Sequence, residues 1–371
     1  MEDQNELSFY KFDSDVSESE IKRLREEWQK HIRKRNLFLG QTKGSGRGIV
    51  ITAGGIKYFT SSWILINLLR NLGCNLPIEV WFHGNEITKN MQLKLSHCDV
   101  LCRDLSEYID ETPRGFLMKP LAIIYSSFKE ILFLDADNIC VKDPSYLFED
   151  EKYKKYGCIF WPDFWETPNS NPIWKILNID YFKSREQESG QLLINKEKCW
   201  KQLQLCLYFN IKCDDYYKFM YGDKDTFRFA WLALKKEYFM ISQDVGVCGY
   251  YNIESGQFFG TTMVQHDTQN KILFLHRNLL KWDVTLQNEK VWKTIKVFQP
   301  NAKNRFCRLG KTPYGYSAID ISGNIEVLDF ETLFPNFEDE CLAILHKLRY
   351  SRFYTEELHQ DYIMNNRFFK T

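Results

Sequence analysis

Residues 131–138 read ILFLDADN: four apolar side chains run straight into two acids, Asp135 and Asp137, one residue apart. An apolar run of this length, bounded by polar residues, reads as a strand covered on both faces. Two carboxylates just beyond it repel each other unless a cation sits between them and a ligand. A hard divalent ion takes one or two carboxylates and completes its shell with water and phosphate oxygens, which suits a site that holds a diphosphate. The same spacing recurs at Asp13/Asp15 and Asp223/Asp225, so position must separate the three pairs.

Outward from ILFLDADN, short apolar runs alternate with helical stretches. GIVITAGG (48–55) reads as a strand and a glycine turn, TSSWILINLLRNLG (60–73) as a helix stopped by Gly73, and PIEVWF (77–82) and CDVLCRDL (98–105) as two more strands. KPLAIIYSSF (119–128) is the helix that precedes EILFLDADN. Strands separated by helices imply βαβ units and a mostly parallel sheet. In such sheets ligands bind beyond the carboxyl ends of the strands, which is where TAGG, HGNE and DADN fall.

The second half is denser in aromatics: the strands CIFWPDFWE, SGQLLIN, TTMVQHD and KILFLHRN, and the helices EKCWKQLQLCLYFN and DKDTFRFAWLALKK. Beyond residue 300 come a hairpin-like piece, YSAIDISGNIEVLDF, and a helix, DECLAILHKLRY. No repeat, low-complexity tract or break separates an independently folding second domain.

At the other end, Ser17 and Glu20 form a capping box. Ile21, Leu24, Trp28 and Ile32 then recur at helical spacing, predicting an amphipathic helix that ends near Asn36. Its charged face suits solvent, and residues 17–36 could also meet a membrane surface or a partner. QTKGSGRG (41–48) reads as a flexible linker; its Gly44-x-Gly46 precedes a strand and so is no dinucleotide fingerprint.

Composition excludes some classes. The chain has 371 residues, 44% hydrophobic, with 49 basic and 49 acidic side chains. That is enough for a large core, without the positive field that nucleic-acid binding requires. The first residues lack a secretory signal and no run reaches a membrane span, which predicts a cytoplasmic protein as the chain stands. Eleven cysteines, mostly inside apolar stretches, read as reduced thiols, with no zinc-site spacing.

Context divides the acid pairs. Asp13 and Asp15 lie in the polar leader, where solvation explains them. Asp223 and Asp225, in GDKDTFRFAW, open a helix, where capping and the dipole would account for them. Asp135 and Asp137 alone follow a buried strand at the expected ligand crevice, and they are the metal-binding candidates. His276 in ILFLHRN, where another apolar strand runs into a polar end, has the character of a third ligand.

Taken in order, GIVITAGG, LPIEVWFHGNE, FLMKPLAIIYSSFKEILFLDADN, FWPDFW, ESGQLLIN, GDKDTF, MVQHD and FLHRN resemble the fungal α-mannosyltransferase family that builds α-1,2 and α-1,3 branches on mannan. They are similar, more distantly, to the glycogenin-type retaining glycosyltransferases. The resemblance implies an α/β GT-A fold: a single Rossmann-like domain with a mostly parallel central sheet, an N-terminal helix and a C-terminal extension. It places a leader and helix at 1–47, the catalytic domain at 48–300 and the extension at 301–371.

The resemblance also implies a nucleotide-sugar donor, GDP-mannose, with Mn²⁺ or Mg²⁺, a glycan or glycoprotein acceptor, transfer with retention, and the Golgi lumen where an anchor has been removed. Trp161, Phe164 and Trp165, which flank Asp163, could stack on that acceptor or simply be core. Asp135, Asp137 and His276 would hold the metal, and Ala136 and Lys119 would lie near the donor. Thr52, Ala53, Gly54 and Gly55 would lie against the nucleotide, where small residues allow close approach. Glu188 and Gln191, or Asp223 and Asp225, would line the sugar's β-face or bind its hydroxyls. Whether the route is covalent or front-face stays open. Two alternatives stand beside this one: a retaining transferase using UDP-glucose, UDP-galactose or UDP-N-acetylglucosamine, and a non-catalytic relative that binds glycans.

Overall fold

The computed structural model describes residues 12–33, 44–110, 116–283 and 290–365. Its strands are β1 (Arg47–Thr52), β2 (Ile78–Phe82), β3 (Val100–Asp104), β4 (Glu130–Asp135), β5 (Asn138–Cys140), β6 (Cys158–Glu166), β7 (Arg185–Asn195) and β8 (Phe239–Met240). They continue as β9 (Gly246–Tyr251), β10 (Phe258–His266), β11 (Ile272–His276), β12 (Thr294–Phe298), β13 (Arg305–Lys311), β14 (Ser317–Gly323) and β15 (Ile325–Asp329). Helices lie between many of them, and the architecture is α/β.

One sheet has seven strands in the order β3-β2-β1-β4-β7-β6-β8, mixed in direction: β2 with β3 and β6 with β8 run parallel, β6 with β7 antiparallel. The centre of β4, Ile131–Leu134, is wholly buried, as its unbroken apolar run requires. The second sheet, in the order β13-β14-β10-β9-β12-β15 with β11 attached to β10 and β5 to β11, is antiparallel at every described pairing.

The chain divides into two compact units. The first comprises Met1–Val50, Glu111–Phe133 and Leu147–Asp244; the second comprises Ile51–Asp110, Leu134–Tyr146 and Val245–Thr371.

In the first unit the helix Glu18–Arg33 buries Ile21, Leu24 and Trp28, the stripe its spacing predicts. Trp28 Nε1 donates to the Ile176 carbonyl at 3.0 Å and Tyr216 donates to that of Leu24 at 3.2 Å. These bonds lock the apolar face onto the unit. The capping box is only half made: Ser17 Oγ accepts from Glu20 N at 3.2 Å, but the Glu20 carboxylate turns to Arg23. Arg23 also pairs with Glu27 and Asp215, so the charged face is largely occupied with its own ion pairs. The predicted end near Asn36 lies outside the described residues.

Two local expectations change. Gly44–Gly48 is not a loose linker; its residues 41–43 lie outside the described residues. A Cβ on Gly44 would fall 2.4 Å from the Phe128 carbonyl carbon, and one on Gly48 2.2 Å from the Phe128 ring. Lys129 and Glu130 donate to the Gly46 carbonyl at 3.2 and 3.1 Å. These glycines serve close packing, not freedom. Nor is YSAIDISGNIEVLDF a hairpin. β14 pairs with β13 and β10, while β15 pairs with β12; Gly323, at φ +103°, ends β14 where the chain leaves it for β15. The partner strand β13, RFCRLGK, alternates too weakly in polarity to be read as a strand.

Candidate functional site

β4 ends at Asp135, the chain turns through Ala136 and Asp137, and β5 begins at Asn138. β5 pairs antiparallel with β11, with Phe274 opposite Cys140, Leu275 opposite Ile139 and His276 opposite Asn138; Arg277 N continues the ladder to the Asp137 carbonyl at 3.0 Å. This register brings a histidine 139 residues away onto the acidic turn. Ligand atoms of Asp135, Asp137 and His276 all lie within 4.8 Å of one another. His276 Nε2 is 3.2 Å from Asp137 Oδ1 and 3.9 Å from Asp135 Oδ2. Asp137 and His276 are buried, and Asp135 is half-buried.

Lys281 pairs with the other oxygen of Asp137. Lys281 stands five positions past His276, outside the FLHRN motif, and no spacing in the sequence marks it. Arg277, beside His276, is wholly buried. It pairs with Glu338 at 3.1 Å and lies 3.9 Å over the Trp282 ring.

The glycine turn belongs to the same unit. Ala53 N donates to the Trp81 carbonyl at 2.9 Å, and Gly55 takes φ +67° to start the helix Gly55–Asn71. A Cβ on Gly54 would meet Glu86 Oε2 at 2.5 Å. The close neighbour at Gly54 is thus a carboxylate of the HGNE loop; Thr52 and Gly55 stay half-buried and Ala53 is buried.

The first unit holds the other candidates in two groups. Lys119 Nζ, 8% exposed, donates to Ser189 O at 2.9 Å and Ser189 Oγ at 2.8 Å and pairs with Asp223 at 3.3 Å. Both oxygens of Glu188 accept from Gly190 N at 2.8 Å, and Gln191 Nε2 donates to one of them at 3.0 Å. The second group centres on Lys224, the residue between the paired acids of GDKDTF. It contacts Glu186 at 2.6 Å, Asp163 at 2.9 Å and Asp225 at 3.5 Å. Asp225 also accepts from Tyr221 N at 2.9 Å, a reach back over the start of the helix Asp223–Ala233. Capping and ion pairing therefore coexist at Asp225. Lys224 and Glu186 carry no spacing signal in the sequence, where only the paired acids of GDKDTF stand out. Trp161 is wholly buried, Phe164 and Asp163 nearly so, and Trp165 is 9% exposed.

Burial sets the protonation of this group. Desolvation, reinforced by Glu186, pushes the Asp225 carboxyl up to about 7 against the opposing pull of Lys224, and desolvation also raises Asp163. Lys224 is held well above its ordinary range: the charges of Asp163, Asp225 and Glu186 outweigh its own burial, which works the other way. In the other unit, desolvation pushes His266 down to about 4.

The signs differ. A raised carboxyl contributes stability that is complete below its ordinary value of 3.8 and is lost as pH rises through 7. A depressed histidine contributes stability present above 6.5 and lost as pH falls through 4. The Asp225 slope is worth on the order of 4 kcal/mol across its window. Urea unfolding at a series of pH values should therefore show Asp225→Asn losing less stability between pH 4 and 7 than the parent. Equal slopes would remove Asp225 as the titrating group.

Among the described residues no helix is long and apolar enough to cross a membrane, and all eleven cysteines are free thiols.

The family described as "Mannosyltransferase putative" matches residues 46–188 and 179–267, well over half of the chain. Alpha-1,2-mannosyltransferase MNN2 of Saccharomyces cerevisiae is 30% identical over 282 residues, covering 62% of this chain and 46% of the relative. MNN21 of Candida albicans, of the same description, is 29% identical over 289 residues, covering 62% and 44%. MNN24 of Candida albicans is 26% identical and covers 95% and 54%. The chain spans about half the length of the curated relatives it matches. Among solved structures, the glycosyltransferase GlyE of Streptococcus pneumoniae overlaps 53% of this chain and 45% of its own, at 16% identity and a TM-score of 0.37. The family match takes in the acidic turn and the Lys119 and Lys224 groups, while His276 lies beyond its last residue. On that match, the chain belongs to this mannosyltransferase family.

Proposed function

We propose that the protein is a retaining glycosyltransferase that moves mannose from GDP-mannose to a glycan acceptor, with a divalent cation held by Asp135, Asp137 and His276. The observation that carries this reading is the gathering of two carboxylates and an imidazole within 4.8 Å. This donor set suits Mn²⁺, which accepts oxygen and nitrogen ligands alike. The Lys281 ammonium on Asp137 marks the turn as a place where positive charge is required. When bound, the cation supplies Lewis-acid stabilisation of the charge growing on a departing diphosphate.

The chain's own residues supply the rest. Lys281, 23% exposed at its side chain, is a second positive charge for phosphate oxygens. Lys119 fixes the Asp223 carboxylate and the Ser189 backbone, so that neither is free to turn. Glu188 is pinned by Gly190 and Gln191 and presents a fixed negative charge, suited to a sugar that gains oxocarbenium character. Asp225, poised near neutrality, can hold or release a proton. Residues 48–300 are assigned as the catalytic portion. Support comes from the family membership and from the names of the α-1,2-mannosyltransferase relatives.

A donor panel read by mass spectrometry with Mn²⁺ tests the proposal. Hexose transfer or hydrolysis from GDP-mannose, abolished by EDTA, is expected. Turnover of UDP-glucose, UDP-galactose or UDP-N-acetylglucosamine in its place would move the protein to the second donor class. Silence with every donor would end the reading.

A further inference from the structure

Two lysines grip the strand β7 on either side of Glu188. On one side Lys119, from the helix Met118–Tyr125, donates to Ser189 O and Oγ at 2.9 and 2.8 Å and pairs with Asp223 at 3.3 Å. On the other, Lys224 reaches from the helix Asp223–Ala233 to Glu186 at 2.6 Å. Arg228, one turn further along that helix, donates to the Arg185 carbonyl at 2.8 Å, since residues four apart share a helix face. The strand is thus held at positions 185, 186 and 189, and Glu188 is the acid between the holds.

The face these ties secure is crowded with charge. Alternation along a strand puts Glu186 and Glu188 on the same side of β7, and Trp161 of β6 lies opposite Glu188. Lys224 also meets Asp163, two residues on from Trp161, at 2.9 Å, and the Glu188 charge lies close enough to Asp163 to raise its affinity for a proton. Glu186 and Asp225 are wholly buried and Asp163 is 6% exposed, so water does little to screen these acids from Glu188. Thr167 adds only a neutral bond to Glu186, at 2.9 Å. Without Lys224, Asp163 and Glu186 would repel Glu188 or take up protons, and the first turn of the helix would lose its tie to the strand. Buried ion pairs gain little stability over apolar residues of the same shape. What this cluster secures is placement, at the acid that both lysines flank.

We propose that Lys224 is a positioning residue for the transfer: by tying Glu186 and Asp163 to the helix Asp223–Ala233, it holds the Glu188 carboxylate in the orientation that meets the sugar. The sugar's place beside Glu188 rests on the function proposed above; the hold on Glu188 does not.

Lys224→Met removes the tie. Lys224→Met combined with Glu186→Gln removes it without leaving the Glu186 charge buried and unpaired; melting curves establish that the variants fold, and the double variant stands alone if the single one does not. Misplacement by about 1 Å can cost on the order of 10²-fold, so kcat for transfer from GDP-mannose is expected to fall roughly 10–100-fold, with KM for the donor within about twofold of the parent. The Mn²⁺ shift in melting temperature should be kept, since none of these residues belongs to the Asp135, Asp137 and His276 set. Lys224→Arg, which restores a cation and its donors, should recover most of kcat. On a Glu188→Gln background the loss of Lys224 should cost nothing further, because a residue that acts through another is not additive with it. Hydrogen exchange gives a readout that needs no turnover: the Gly190 amide, which donates to both Glu188 oxygens at 2.8 Å, should exchange faster in the variants that lack the lysine. Unchanged Gly190 exchange, a kept kcat, or a loss that adds in full to that of Glu188→Gln overturns the assignment. Faster Gly190 exchange in a protein whose parent turns over no donor keeps the hold on Glu188 and removes the enzymatic reading instead.

Discussion

Asp137→Asn is expected to abolish metal-dependent turnover. Asp137 is 2% exposed and takes His276 on one oxygen and Lys281 on the other, so both of its oxygens already serve positive or donor groups. Asparagine keeps the shape and removes the charge that would hold the proposed cation between this residue and Asp135. The loss of one preorganised electrostatic group at a centre of developing charge costs about 10²–10³ in kcat, and losing the cation's seat should exceed that. Two measurements check the prediction. Mn²⁺ should raise the melting temperature of the parent and leave that of Asp137→Asn unmoved, since binding to the folded state alone stabilises it. Transfer from GDP-mannose should fall to background. An Asp137→Asn protein that kept full cellular function would favour the non-catalytic, glycan-binding alternative.

The second large effect concerns stability. Glu338, 2% exposed on the helix Phe337–Arg349, pairs with the wholly buried Arg277 and accepts the Val291 and Trp292 amides at 3.0 and 2.8 Å. Glu338→Ala would leave a guanidinium with no counter-charge beneath Trp282, and two buried N–H groups without an acceptor. Removing one partner of a buried pair costs about 3–5 kcal/mol, and each orphaned amide adds to it. Chemical denaturation should show that loss. Because Arg277 follows His276 directly, the variant should also weaken Mn²⁺ stabilisation. Glu338→Gln, which retains an acceptor for the amides, should recover part of the stability and not all of it. A Glu338→Ala protein within about 0.5 kcal/mol of the parent, a change typical of a surface substitution, would show that the pair contributes little.

Much of this was legible in the chain. ILFL is buried because four apolar residues in sequence have no polar face to give to water, and an acidic turn at the end of such a strand asks for a cation. The helix Glu18–Arg33 followed from Ile21, Leu24 and Trp28 at helical spacing. Ordered motifs pointed to the mannosyltransferase family that the family match then established.

Other features had no local signature. Glycines 44 and 48 look like a linker on composition, yet they are small because Phe128 presses against them. Strand β13 depends on β14 for its existence. Lys224 is surrounded by three carboxylates drawn from separate stretches of chain, and Asp225 owes its raised affinity for a proton to that enclosure. Apolar periodicity and acid spacing are properties of neighbours along the chain, so they announced the strands, the helices and the Asp135–Asp137 turn. His276 reads as a candidate third ligand from its place at the end of an apolar strand, but what lies beside it is not written there. Antiparallel pairing of β11 with β5 sets His276 against Asp137, because hydrogen-bond register is a relation between distant segments that local residue preferences do not encode.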